Sequence, residues 1–258
     1  MTIQLEVAPD GLRAQLTEPA WASVVAASSA EVSGALAPLE PASPDERPDE
    51  PLAAAAALAL GGAPVHVELV TGEGDRGVIA QIGCDAVATG LAVRALVAGA
   101  DGAGPVVVPG VEVSTNQAAN VVAEIMRLFP AAGLSRHADP SPATMPHELS
   151  LTLHEAIRTG DQQVAQLVAE QAGFESPPDV LVSLARGTTA SATATIRVRG
   201  SATTVVQQWL LCDVGWVLLT IRGTQVTHTA QSRNEVADTF VRLMTTALGD
   251  SEAVSRRG

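Results

Sequence analysis

Four groups of residues in this sequence have types and spacings that chemistry uses. GEGDRG, residues 72–77, spells the G-x-G-x-x-G of a dinucleotide fingerprint. That fingerprint works by seating a pyrophosphate on the N-terminus of a helix that starts directly after the glycines. Here the strand-like run VIAQIGC follows and the βαβ context is missing, so the six residues predict a glycine-rich hairpin turn. His147-Glu148 and His154-Glu155 invite a zinc reading, but HExxH places both imidazoles on one helical face. These histidines are seven residues apart, and His147 follows Pro146 in a stretch read as strand or loop, so no metal site is expected. Cys84-Asp85 and Cys212-Asp213 each fall in a predicted strand; two cysteines so placed read as small buried apolar residues rather than a disulfide or redox pair. His66 and His228 lie on predicted strands without a Ser or Cys nucleophile pattern beside them. GxSxG is absent, and GxxxxGK[ST] is impossible in a chain that has no lysine. The expectation is no catalytic residue, no metal and no cofactor. The alternative enzyme reading needs a small-molecule pocket between the two halves, with a buried polar cluster near Asp85 and Asp213.

The elements that hold these residues are patterned twice. Cys84, Asp85 and Arg94 recur as Cys212, Asp213 and Arg222, and GVEVSTNQAANVVAEIMRLF lies without a gap over QVTHTAQSRNEVADTFVRLM. The second alignment pairs Val111 with Val226, Val121 with Val236, Ile125 with Phe240, Arg127 with Arg242 and Leu128 with Leu243. The two registers differ because the first copy carries extra chain around VAGADGAGPVVVPG, a Gly/Ala/Pro stretch of loop type. The expected fold class is α+β: a quasi-two-fold internal duplication with a central antiparallel β-sheet flanked by helices. Its halves are residues 1–134 and 147–249, joined in one pseudo-symmetric domain.

Taken in order, residues 3–7 alternate as a strand, and residues 11–27 predict a short helix interrupted at Pro19. The acidic, proline-rich residues 37–51 cannot bury enough apolar surface to offset the entropy of ordering them, and read as a flexible solvated loop. PLAAAAALALGG predicts a helix stopping at Gly61-Gly62, VHVELVT a half-buried strand, and residues 77–97 further strands turning near Asp85 or Gly90. Ser114 or Thr115 is the expected cap of a helix that ends before Pro130. Residues 135–146 form the expected linker. In the second half Leu149, Leu151 and Leu153 alternate as a strand before helical spacing begins at Ile157. Strands at 192–199, 203–213 and 216–223 follow, turning at Gly200-Ser201 and Asp213–Gly215. The last helix is capped by Thr229 or Ser232, with a frayed tail after Gly249.

Composition narrows the function. A net charge of −13 with 2% aromatic residues argues against a nucleic-acid partner, which needs a basic surface and stacking platforms. The N-terminus has no signal-peptide pattern and no apolar run reaches bilayer length, so a cytoplasmic location without membrane insertion is expected. The acid excess is concentrated at the start: residues 1–60 hold nine acids and two arginines, whereas residues 141–258 hold eleven and nine. In ATATIRVRG, Ala194, Ile196 and Val198 point one way and Thr193, Thr195, Arg197 and Arg199 the other, giving one core face and one polar, cationic face. Thr195, Arg197 and Arg199, with Gln207 and Trp209 on the strand that runs back, are the candidate partner-binding set. Trp209 or Trp216 would serve as an interface anchor if exposed; the alternative place for each is the core.

The C-terminal unit resembles a known family. A strand runs into Gly215-Trp216-Val217, then through Thr220-Ile221-Arg222, then into VTHTAQSRNEVADTFVRLM, which is similar to the closing "V-T-x-x-x-A-D" strand and helix of the EspG family of type VII (ESX) secretion-associated proteins. The resemblance extends in outline over nearly the whole chain. It implies a quasi-two-fold α+β fold with a central antiparallel sheet and helical bundles. It also implies a cytosolic chaperone that binds secreted PE–PPE heterodimers at the PPE tip and keeps them soluble. The chain departs from the family in its short N-terminus, its acidity and its proline-rich acidic loop. A self-associating structural or regulatory module is the other non-enzymatic reading.

Overall fold

The structure is a computed structural model that describes residues 5–8, 11–28, 32, 34–43, 45–46, 50–100, 104–131 and 140–255. The fold is α+β, a large antiparallel sheet flanked by helices. In chain order the first elements are β1 (Leu5–Ala8), β2 (Gly11–Leu16), α1 (Glu18–Ser28), α2 (Glu50–Ala57), β3 (Val65–Glu73), β4 (Arg76–Cys84), β5 (Ala88–Val97), β6 (Val106–Val107), β7 (Val111–Gln117) and α3 (Val121–Arg127). There follow β8 (Ala143–Pro146), α4 (His147–Thr159), α5 (Gln162–Gln171), α6 (Asp179–Arg186), β9 (Ala190–Val198), β10 (Thr204–Cys212), β11 (Gly215–Arg222), β12 (Gln225–Gln231) and α7 (Arg233–Ser255). Two compact units are drawn from this chain. One comprises Met1–Phe129, Ala194–Val206 and Phe240–Gly258; the other comprises Pro130–Thr193 and Gln207–Thr239.

In the first unit the strands run β1-β2-β7-β5-β4-β3, with β9 next to β3 and β6 paired to β5. GEGDRG is the β3–β4 hairpin turn: Glu73 pairs with Arg76 across Gly74-Asp75, and Gly74 takes the left-handed φ of 59° that such a turn requires. Asp85 turns β4 into β5 by accepting hydrogen bonds from the Val87 and Ala88 amides, both at 2.7 Å. On one face of the sheet Trp21 of α1, Leu52 and Ala55 of α2, Leu36 between them and Ala59 after α2 are buried with Ala14, Ala92, Val111 and Val113. Beyond α2 a single π-turn, Leu58–Gly62, contains Gly61 at a left-handed φ of 126°.

In the second unit β10-β11-β12-β8 are successive antiparallel neighbours. Helices α4, α5 and α6 supply Leu153, Ala156, Ala165, Val168, Val180, Leu181 and Leu184 to a core shared with Ala143, Met145, Cys212, Val214 and Val217. Asp161 caps α5 by accepting from the Val164 amide at 3.0 Å. Ser232 and Glu235 cap α7 reciprocally: the Ser232 amide donates to the Glu235 carboxylate at 2.6 Å, and the Glu235 amide to the Ser232 hydroxyl at 3.3 Å. The cap is therefore Ser232, while Thr229 lies in β12.

Several expectations are corrected. Residues 11–16 form β2 rather than a helix, and Pro19 lies in the first turn of α1, where its missing N–H costs nothing. Ser114 and Thr115 lie inside β7, held between β2 and β5, and the helix starts only at Val121. Leu149, Leu151 and Leu153 are helical. Leu153 and Ala156 face the core at helical spacing while Leu151 is 58% exposed, and three alternating leucines fit a helix once Ala156 and Ile157 extend the pattern. The strand that opens this half is β8, at residues where a linker was expected; residues 135–139 of that linker, like Ile3 and Gln4 of the first strand, lie outside the described residues. Helix α7 continues to Ser255, with Ser251 buried, so the tail is ordered to that point.

The described part of the proline-rich loop is also fastened. Arg94, on β5, and Glu18, the first residue of α1, form a buried pair with 0% and 3% side-chain exposure and two oxygens at 2.9 Å. Arg94 Nη1 donates to the carbonyls of Ala35 and Ala37, and Glu18 accepts from the amides of Leu39 and Gly110. Glu46 accepts from the Thr17 hydroxyl, and Ser43 from the Ser23 hydroxyl at 3.1 Å. Residues 35–39 are held because the buried pair takes hydrogen-bond partners from them, the Ala35 and Ala37 carbonyls for Arg94 and the Leu39 amide for Glu18.

Element order recurs along the chain apart from the two-residue β6: three strands, a fourth strand and a helix appear as β3-β4-β5, β7 and α3, and again as β9-β10-β11, β12 and α7. Cys84 and Cys212 end β4 and β10, and both are buried. The arginine pairing fails by two residues. Four residues separate Cys84 from its cross-strand partner Thr89, and two separate Cys212 from Gly215. Arg94 thus corresponds to Thr220, and Arg222 is an exposed residue at the end of its strand.

Candidate functional site

A cavity of 420 Å³, lined by polar and apolar residues alike, opens in the first unit beside the turn that follows α2. Its position follows from glycines. Gly83 and Gly90 pair across β4 and β5, and a Cβ on them would lie 1.9 Å from the Leu58 carbonyl oxygen and 2.0 Å from that of Ala55. Only glycine lets the α2 backbone and π-turn rest directly on the sheet. Ala59, Leu60 and Gly61 of that turn form one rim of the cavity.

The sheet supplies the rest. His66 pairs with Gly83 and Glu68 with Gln81, so His66, Glu68 and Gln81 share the face on which the π-turn lies. Strand β9 alternates as expected, with Ala192, Ala194, Ile196 and Val198 buried, Thr195 half-buried and Arg197 and Arg199 exposed. Thr195, Arg197 and Arg199 all line the cavity, together with Ser201 of the Gly200-Ser201 turn and Thr204 at the start of β10. The Arg199 amide donates to the Pro64 carbonyl at 2.8 Å, fixing this end of β9 beside the start of β3. Among the described residues neither Arg197, Arg199 nor Glu68 forms an ion pair.

His66 Nε2 lies 2.8 Å from the Ala63 carbonyl oxygen. Burial pushes this imidazole below the ordinary histidine value; the Ala63 carbonyl opposes that shift and the Arg199 charge adds to it. The acidic and basic side chains of the site besides His66 are Arg197, Arg199 and Glu68, set among hydroxyls, an amide and the apolar Ala59, Leu60, Val67 and Val198. Such a set binds anions by charge-assisted hydrogen bonds and offers no nucleophile paired with a base.

Of the predicted partner-binding set, the structure brings Thr195, Arg197 and Arg199 together in this cavity, and Gln207 is half-buried outside it. Trp209 is a correction: it is fully buried, its indole N–H donating to Gln231 at 3.0 Å, and Trp216 is buried as well. Neither is an exposed anchor, because on β10 and β11 these are the largest apolar groups available to fill the core. His66, Glu68 and Gln81 were not anticipated. The alternation of VHVELV already put His66 and Glu68 on a polar face, but nothing local placed that face beside β9.

The other histidines and the turn aspartates lie elsewhere. Asp85 and Asp213 are turn residues, half-buried and exposed respectively, so neither is the buried cluster that the enzyme reading required. His147 and His154 lie on α4 and not in strand or loop; among the described residues no three His, Cys, Asp or Glu side chains gather as metal ligands. His228 is buried on β12 with Ser150 Oγ 3.3 Å from its Nε2. Among the described residues no helix is long and apolar enough to cross a membrane.

The class defined by this geometry is a helix-flanked antiparallel sheet carrying a cavity lined by two arginines. No family model and no curated protein matches the sequence. Among solved structures, the chain is similar to the type VII secretion chaperone EspG5 of Mycobacterium tuberculosis, solved in complex with the PE25–PPE41 dimer. The overlay has a TM-score of 0.58 at 12% identity and covers 93% of this chain and 96% of that chain. At that identity the likeness is one of fold. A dehydratase–cyclase domain from ambruticin biosynthesis overlays with a TM-score of 0.13, which carries no argument.

Proposed function

We propose that this chain is a cytoplasmic chaperone or adaptor that binds secreted type VII substrates of PE–PPE type and keeps them soluble for export. The observation that carries this reading is the overlay on EspG5, which runs through nearly the full length of both chains. A role of this kind requires a preformed surface on the order of 800 Å² per partner rather than a reactive centre. The polar face of β9, with Thr195, Arg197 and Arg199, is the part of that surface we assign to the partner. The recurrence of element order supports reading residues 1–134 and 147–249 as diverged copies of one unit.

Co-expression with PE–PPE pairs encoded in the same genome tests the proposal. A cognate pair is expected to co-elute with this chain in size-exclusion chromatography and to stay soluble only in its presence. If every such pair is equally soluble without the chain and none co-elutes, the proposal is wrong.

A further inference from the structure

We infer that the cavity beside β9 is an acidic-peptide site, in which an aspartate or glutamate side chain of the secreted partner places its carboxylate between Arg197 and Arg199. The identity of the partner rests on the chaperone reading; the chemistry rests on the residues of this chain.

The first argument is charge. With 28 acids against 15 arginines, carboxylates are plentiful, and Arg13, Arg94, Arg127 and Arg158 each hold one. Arg197 and Arg199 line one cavity, are exposed, and pair with no described carboxylate, although Glu68 lines the same space. Two cations side by side repel one another, and a single anion shared between them removes that repulsion. The second argument is geometry. Residues two apart on a strand project from the same face roughly 7 Å apart, a span that two flexible guanidinium arms can close around one carboxylate with paired N–H donors.

The remaining lining fits a peptide rather than a phosphodiester. The Gln81 amide and the Ser201 and Thr204 hydroxyls can meet backbone polar groups, and Glu68 can accept from a peptide N–H. Binding a nucleic-acid strand would call for stacking surfaces, and Trp21, Trp209 and Trp216 are all fully buried. The net charge of −13 adds selectivity, since an acidic segment is repelled from the protein as a whole and attracted only where cations are uncompensated.

The test uses the full chain and a capped peptide, Gly-Glu-Gly-Glu-Gly, with Gly-Lys-Gly-Lys-Gly as control, read by backbone amide shifts. The glutamate peptide is expected to shift β9 from Thr195 to Arg199 and β3 from His66 to Glu68, more strongly at low salt. The lysine peptide is expected to leave these amides unmoved. Each arginine is expected to contribute roughly tenfold, so R197E/R199E weakens binding about a hundredfold. Shifts elsewhere, shifts unchanged in R197E/R199E, or none at all overturn the inference; if that variant does not fold, R197Q/R199Q takes its place. A PE–PPE pair that binds wild type and R197E/R199E equally well also overturns it, while leaving the chaperone reading intact. Peptide binding at β9 without any PE–PPE complex keeps the acidic-peptide chemistry and overturns its assignment to a secreted partner.

Discussion

On β5, Arg94 is buried, its Nη1 and Nη2 donors divided between the Ala35 and Ala37 carbonyls and the Glu18 carboxylate. On β9, Arg197 and Arg199 stand in an open cavity with no described ion-pair partner. Both sites belong to one compact unit and both use guanidinium, so residue type does not separate them. What separates them is desolvation. Burial lowers the pKa of Arg94 and only Glu18 and its hydrogen bonds compensate, so that pair holds the α1 entry and residues 35–39 in place. The β9 arginines are exposed and lose little when left unpaired, so their donors stay accessible.

The comparison can be broken hardest at Arg94. Arg94→Ala strands the Glu18 carboxylate in the core and is expected to cost about 3–5 kcal/mol, read as a fall in denaturant midpoint. A cost below about 1 kcal/mol would mean that the pair is solvated and the contrast false. Gly83→Ala comes next. Its Cβ would fall 1.9 Å from the Leu58 carbonyl oxygen, so the π-turn must lift, at an expected cost of about 1–3 kcal/mol together with weaker glutamate-peptide binding. Unchanged stability and peptide binding would show that the π-turn does not shape the cavity.

Acid should erode stability through the buried histidines. Burial holds His228 below the ordinary histidine value, with the Ala143 backbone opposing and the charges of His147 and His154 adding. A folded-state pKa below the unfolded one means that the unfolded chain binds the proton more readily. Stability is thus complete above the ordinary histidine range and declines as pH falls from that range toward the depressed value. His228→Gln should flatten the profile of Tm against pH in that window; an unaltered profile would assign the acid loss to other groups, His66 first among them. The smallest effect on stability is expected from R197E/R199E, within about 0.5 kcal/mol of wild type, even as partner binding falls. An equal loss of folding and binding would make these arginines structural and remove the contrast with Arg94.

Much of the fold was legible because its signals are local. The alternation of VHVELVT and ATATIRVRG, the Gly74-Asp75 turn and Ser232 as one of two candidate caps all depend on residues within a few positions of one another. The misreadings came where distant chain decides. Ser114 is a fair helix cap by its neighbours, yet it is buried in a strand that pairs on both sides. Trp209 is as plausible at an interface as in a core until Gln231 receives its N–H. The matching of Arg94 with Arg222 looked sound in a linear alignment, and a turn longer by two residues moved them apart in register.

The sequence by itself determined the α+β class, the recurrence of elements and the outward direction of Thr195, Arg197 and Arg199. Periodicity, turn chemistry and charge act over short stretches of chain and need no partner to be read. Only the tertiary structure decided that Arg94 is a buried strut and that the β9 arginines share a cavity with His66, Glu68 and Gln81. Burial and juxtaposition depend on which distant strands become neighbours, and strand pairing between residues more than a hundred positions apart leaves no mark on either stretch alone.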